Sequence, residues 1–164
     1  MRAFSPKHIC VLGAVFCALA LGAAVGSERF GGLVPCALCL LQRWPYRIGI
    51  FLGLAGALLP ARLGRAGVAV MALTFLAAAS AASIHVGVEA GWWKSPLPEC
   101  TAPNFTGLSP AERFAQMTDR PAISCEDPTY IVGPVTMAQA NLTYALAGFA
   151  AMTILGLRSK GKQA

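Results

Sequence analysis

Charge is the scarcest commodity in this chain. Only 12% of its 164 residues are Asp, Glu, Lys or Arg, whereas 56% are hydrophobic. Soluble domains carry roughly 25% charged and roughly 45–50% apolar residues, so the shortage argues against a soluble protein. Internal repeats and low-complexity tails are also missing, and residues 1–164 are expected to form one domain. No G-x-G-x-x-G turn is present to cradle a soluble dinucleotide. The one close cysteine pair, Cys36 and Cys39, is followed by Leu40 rather than His, which excludes the c-type haem attachment motif.

What fills the space left by charge is long apolar runs. A membrane-crossing helix needs about 20 mostly apolar residues. Four segments meet or approach that length, at about 9–26, 40–59, 66–88 and 132–157. The second is short and must reach back through Trp44 and Leu40 to cross. Residues 1–26 resemble a signal peptide in having Arg2 and Lys7 ahead of an apolar run. That run is longer than the usual ~7–15-residue signal core, so the segment is expected to be retained as a span. The expected architecture is all-α, a bundle of four transmembrane helices, with loops at about 27–39 and 89–131.

The cations then give an orientation. With four spans, one side holds Arg2, Lys7, Arg62, Arg65, Arg158, Lys160 and Lys162, seven cations and no acid. The other side holds six cations and all seven acids. The positive-inside rule places both termini in the cytoplasm. The net charge of +6 is therefore a topology signal, and no nucleic-acid partner is expected. Cys36, Cys39, Cys100 and Cys125 all fall on the opposite side, which in a bacterium is the oxidising periplasm.

Chemistry concentrates in PCALCLLQRWPYR, residues 35–47. A C-x-x-C pair can cycle between dithiol and disulfide, and its thiolate is favoured by a helix N-terminus or a nearby cation. Pro35 and Cys36 are expected in the first turn of the second helix. Arg43 follows Cys39 by four residues and shares its face. Arg47 continues that row, with Pro45 positioned to kink the helix between them. A redox pair at a lipid boundary suits a lipid-soluble two-electron acceptor such as a quinone, and Arg43 and Gln42 are placed to favour its developing negative charge. His85, near the outer end of the third span, either contacts the same acceptor or reaches the headgroups. Cys10 and Cys17 read as small packing residues, and Trp92 and Trp93 as interfacial anchors.

The polar segment before the fourth span holds Cys100 and Cys125. Joined in an exposed, mobile loop, they would form an attackable disulfide; the alternative is a loop staple. The stretch SPAERFAQM predicts a short helix, with Ser109 as N-cap, Pro110 in the first turn and Glu112 closing a capping box.

Together these features resemble the DsbB family, the disulfide bond formation membrane oxidases of bacteria. The resemblance rests on PCALC opening the second span, Arg43 four residues after Cys39, Cys100 with Cys125 in the large loop, and the four-span layout. QRWPY, residues 42–46, also looks like a branch of that family. As architecture the resemblance covers nearly the whole chain; as motif it covers residues 35–47 and the two loop cysteines. One departure is the lack of a tryptophan soon after Cys125, where Tyr130 is the nearest aromatic. The resemblance implies a four-helix bundle with a short horizontal helix in a large periplasmic loop, acting as a monomer in the inner membrane. It implies a soluble, thioredoxin-like partner of the DsbA type whose thiol attacks Cys100. Cys125 then exchanges with Cys36, and Cys39 becomes the thiolate facing ubiquinone (or menaquinone) beside Arg43. No metal is expected. Two alternatives stand beside this reading: a structural zinc protein using all four outer cysteines, and a small four-helix transporter. A further quinone-linked family, the vitamin K epoxide reductases, carries its C-x-x-C late in the chain, whereas here it comes early.

Overall fold

A computed structural model of the chain describes residues 5–100, 109–110 and 124–159. Its elements are α1 (Pro6–Gly31), α2 (Ala37–Leu41), α3 (Arg43–Leu58), α4 (Gly64–Glu89), a hairpin of β1 (Tyr130–Val132) and β2 (Val135–Thr136), and α5 (Met137–Ser159). Single 3-10 turns occupy Ala61–Leu63 and Pro98–Cys100. The expected loop helix from Ser109 lies, beyond Pro110, outside the described residues.

Among the described residues, α1, α4 and α5 are long and apolar enough to cross a membrane. α3 alone is too short: its 16 residues rise about 24 Å, against a hydrocarbon core of about 30 Å. The shortfall traces to Pro45. A proline inside a helix lacks the N–H and clashes with the carbonyl four residues back, here that of Leu41. The helix accordingly breaks at Gln42, where α2 ends and α3 begins. From Leu40 to Leu58 the two together rise about 28 Å.

α1 starts on Pro6, with Ser5 extended ahead of it. It stops at Gly32, whose φ of +65° and N–H to the Ser27 carbonyl form a left-handed cap; a side chain would be strained there. α5 begins at Met137, later than the expected 132, because residues 130–136 pair as an antiparallel hairpin. Its two-residue turn holds Gly133 at φ +56° followed by Pro134, a combination that ends a helix pattern rather than extending it.

The helices approach closely because small residues line their contacts, as expected where lipid removes the usual hydrophobic drive. α1 packs on α3 and α4 packs on α5. A Cβ added at Gly53 of α3 would sit 2.7 Å from the Cys10 carbonyl oxygen and 2.8 Å from Ala14 Cβ. One at Gly148 of α5 would run into the Phe75 ring. Cys10 and Cys17 are fully buried against this α1–α3 seam, beside Gly56 and Gly49. The core they join contains Tyr46, Met71, Phe75, Ala145 and Met152. Apolar side chains also cover the outside: Phe51 is 74% exposed and Leu58 86% exposed. Such a surface fits hydrocarbon rather than water. Trp93 lays its ring on Gly87 and donates from Nε1 to the Ile84 carbonyl at 3.1 Å.

Candidate active site

Cys36 is the N-cap of α2, and Pro35 lies just outside the helix instead of in its first turn. The backbone of Cys36 is extended (φ −76°, ψ 172°), which turns its sulfur back to accept the Cys39 N–H at 3.3 Å. Sulfur here takes the place usually held by the oxygen of a Ser or Asp cap. The two thiols are free, with their sulfurs 3.0 Å apart.

A chain of buried and half-buried polar groups leads from this pair into the bundle. The Tyr46 hydroxyl donates to Asn141 Oδ1 at 2.6 Å. Asn141 Nδ2 donates to Gln42 Oε1. Gln42 Nε2 lies 2.6 Å from His85 Nδ1, and His85 Nε2 lies 3.5 Å from Cys36 Sγ. The directions are mutually consistent. With Gln42 donating to Nδ1, neutral His85 carries its proton on Nε2, aimed at the Cys36 sulfur. Glu89, one turn beyond His85, brings Oε1 to 3.8 Å from Nε2 and accepts from Thr136 Oγ1 at 2.6 Å through its other oxygen.

These contacts set the thiol chemistry. The Cys36 thiol is pushed down to about 4. The hydrogen bond from the Cys39 thiol is the largest cause, helped by His85 and the Cys39 N–H, and together they outweigh the opposing effect of burial. Cys39 is pushed up, because its proton is the one that bonds to Cys36 and because it is itself half-buried. The reduced pair is thus a thiolate at Cys36 and a thiol at Cys39.

Arg43 is not part of that chain. It is buried, its Nη1 donates to Glu28 Oε2 at 2.8 Å, and its Nε has no hydrogen-bond partner among the described residues. Arg47 lies over the Trp44 ring, 5.4 Å from its centroid.

Cys100 and Cys125 form a disulfide, with Cα atoms 4.9 Å apart. The expectation of an exposed bond is corrected: Cys100 is 1% and Cys125 0% exposed. The physical reason is packing. Cys36, Leu38, Val88, Cys100 and Cys125 make one buried cluster, with Ala37, Cys39 and Leu97 against it. The backbone also ties the bridge, since Cys125 N–H donates to the Cys100 carbonyl at 3.2 Å. With both loop sulfurs in this bond, the four-cysteine zinc site loses two of its ligands.

Sequence patterns pointed to Cys36, Cys39, Gln42 and His85, which the fold brings into contact. They missed Glu28, Tyr46, Glu89, Thr136 and Asn141. Two signals were available: Glu89 stands four residues after His85, and Asn141 is an amide within a mostly apolar helix, where polar groups are costly.

The fold and site define a class: a helical membrane protein with a dithiol at a helix N-terminus and a second, disulfide-bonded cysteine pair packed against it. Within that class the chain belongs to the DsbB family. The family model described as "Disulfide bond formation protein DsbB" matches residues 6–155. A protein from Stutzerimonas stutzeri (strain A1501) named "Disulfide bond formation protein B" is 27% identical over 161 residues, covering 96% of each chain. One of the same name from Chromohalobacter salexigens is 36% identical over 101 residues, covering 60% of this chain and 56% of its own length. No solved structure matches the chain.

Proposed function

We propose that this chain is a membrane thiol oxidase that re-forms the disulfide of a soluble, thioredoxin-like partner of the DsbA type and delivers the electrons to a membrane quinone. The observation that carries this reading is the single buried cluster shared by Cys36 and the Cys100–Cys125 disulfide. Two cysteine pairs packed together can exchange through mixed disulfides without a metal.

The relay runs as follows. A partner thiolate attacks Cys100, breaking its bond to Cys125, and the partner's second thiol resolves the mixed disulfide. The partner leaves oxidised, and Cys100 and Cys125 are left as two thiols. The Cys125 thiolate attacks Cys36 of an oxidised Cys36–Cys39 pair, and Cys39 departs as thiolate. Cys100 then attacks Cys125, re-forming the loop disulfide and releasing Cys36. A joined loop pair beside a free inner pair, as in the structure, supports this order of steps. A leaving thiol departs faster when its pKa is low. Stabilisation of the Cys36 anion by the Cys39 thiol, His85 and a backbone N–H therefore favours electron flow inward. Burial of the loop bond means that the partner must uncover Cys100 before attack.

The residues present fit a quinone in one respect that the chain itself displays: Arg43 Nε is a buried donor without a partner among the described residues, four residues from Cys39. Arg43, Gln42, His85 and Cys39 are the residues proposed to hold the group. When bound, a quinone supplies a two-electron, two-proton acceptor dissolved in the bilayer. Glu28 holds the Arg43 guanidinium in place through Nη1, leaving Nε free to donate.

We assign the chain four spans in one integral domain, both termini cytoplasmic, in a bacterial inner membrane. Its cysteine-bearing loops then face the periplasm. α2 with α3 serves as the second span. The test is purified protein with a reduced thioredoxin-like partner and a soluble ubiquinone, followed by quinone absorbance. The wild type consumes quinone and Cys39→Ala does not. Cys100→Ala loses oxidation of the protein partner. Quinone consumption undiminished in Cys39→Ala would end this reading.

A further inference from the structure

The cluster at Cys36 has a capacity beyond thiol exchange. Cys36 Sγ, Cys39 Sγ and a ring nitrogen of His85 all lie within 4.8 Å of one another. Tetrahedral Zn2+ binds thiolate at about 2.3 Å and imidazole nitrogen at about 2.0–2.1 Å. Tetrahedral angles then put the two sulfurs about 3.8 Å apart and each sulfur about 3.6 Å from the nitrogen. The Cys36–His85 separation of 3.5 Å already matches. The sulfurs, at 3.0 Å, rotate apart by less than an ångström, and Cys39 Sγ, within 4.8 Å of the His85 nitrogen, closes toward the about 3.6 Å the ion requires.

Charge and support also suit an ion. Two thiolates and a neutral imidazole cancel the charge of Zn2+, so a neutral unit replaces a buried anion. For Nε2 to bind metal its proton must move to Nδ1, which then donates to Gln42. Rotation of the Gln42 amide turns its oxygen to accept that proton. Metal-bound histidines usually donate their other N–H to a carbonyl or carboxylate, and Gln42 is already at 2.6 Å. A three-ligand Cys2His set leaves one position for water.

We propose that the reduced chain binds one Zn2+ through Cys36, Cys39 and His85, and that the ion holds the pair as a dithiolate and arrests the oxidase. No electrons move in this step. The Cys39 thiol proton is released to solvent, two Zn–S bonds and one Zn–N bond form, and water leaves the ion. A Cys36–Cys39 disulfide offers no thiolate, so the oxidised pair is immune. The binding stands on the geometry alone; the arrest rests on the redox reading above.

Co2+ is the probe, because it takes zinc sites and shows a sulfur-to-metal charge-transfer band. The full chain in detergent, with Cys36 and Cys39 reduced and the loop disulfide intact, is expected to show that band at one equivalent, and added Zn2+ is expected to abolish it. The same chain with Cys36 and Cys39 oxidised is a fully folded control and should show none. His85→Ala should weaken binding by at least about tenfold, with the thiolate band retained. A reduced chain without the band overturns the proposal. So does equal binding by the oxidised chain, or unchanged affinity in His85→Ala. If Co2+ binds as described but the chain never oxidises partner thiols, the metal site is upheld and the redox reading alone fails.

Discussion

At the scale of single residues, the site is governed by the direction of a few hydrogen bonds. Tyr46, Asn141 and Gln42 form a donor chain that ends on His85 Nδ1 and so points the Nε2 proton at Cys36. Asn141→Leu keeps the branched side-chain shape but leaves the Tyr46 hydroxyl and Gln42 Oε1 without partners. A cost of about 1–3 kcal/mol follows from buried groups left unsatisfied, readable by thermal unfolding in detergent. The same variant frees Gln42 to turn, so the thiolate absorbance of Cys36 should titrate at higher pH than in the wild type. An unchanged titration would remove Asn141 from this role. The wild type carries its own pH prediction. Cys36 sits near 4 in the folded chain and at about 8.5 when unfolded. Its lowered value stabilises the reduced protein fully above pH about 8.5. That contribution shrinks as pH falls and is gone below about 4. Reduced wild type minus reduced Cys36→Ser should show this trend in unfolding experiments; a difference that grows toward acid would contradict it. Cys36, Cys39, Gln42 and His85 could be read from spacing and from polarity within apolar runs. Asn141 carried the same kind of polarity signal, but its partner 99 residues away and the Arg43 partner of Glu28 15 residues away could not be read, because no local pattern records a contact between helices.

At the scale of elements, two kinds of signal behaved differently. Long apolar runs marked α1 and α4 well, since a helix in lipid must be apolar over its whole length. The start of α5 was hidden, because Ile131, Val132 and Val135 look like span residues yet form a hairpin around Gly133. Hydropathy cannot tell a short strand from a helix end; the Gly-Pro turn was the better guide. The small-residue seam of α3 offers a clean test of close packing. Gly53→Ala places a methyl group against the Cys10 carbonyl and Ala14. Overpacking of this kind typically costs about 1–3 kcal/mol. Gly22, in α1, has nothing within 4 Å of an added Cβ, and Gly22→Ala should be neutral or stabilising by up to about 1 kcal/mol. Equal unfolding temperatures for the two variants would mean that the α1–α3 seam is not as close as described.

At the scale of the whole molecule, we propose that charge sets which way the bundle faces. Seven cations and no acid share one side under the four-span reading, while all seven acids share the other. Moving a cluster of Lys and Arg across a membrane is costly enough that short basic loops stay in the cytoplasm. The structure supplies reporters for both sides. Phe30, in the last turn of α1, is 94% exposed and precedes the cysteine pair. Arg62, in the turn between α3 and α4, belongs to the basic side. With the outer membrane permeabilised, a membrane-impermeant maleimide should label Phe30→Cys above the wild-type background. Arg62→Cys should label only after the inner membrane is broken. The outcome bears on chemistry as well as topology, because Phe30 lies on the same side as Cys36 and Cys39. If Arg62→Cys were the one labelled in intact inner membranes, the thiols would sit in a reducing compartment. No periplasmic partner could then reach Cys100, and the relay from loop pair to inner pair would have no source of electrons.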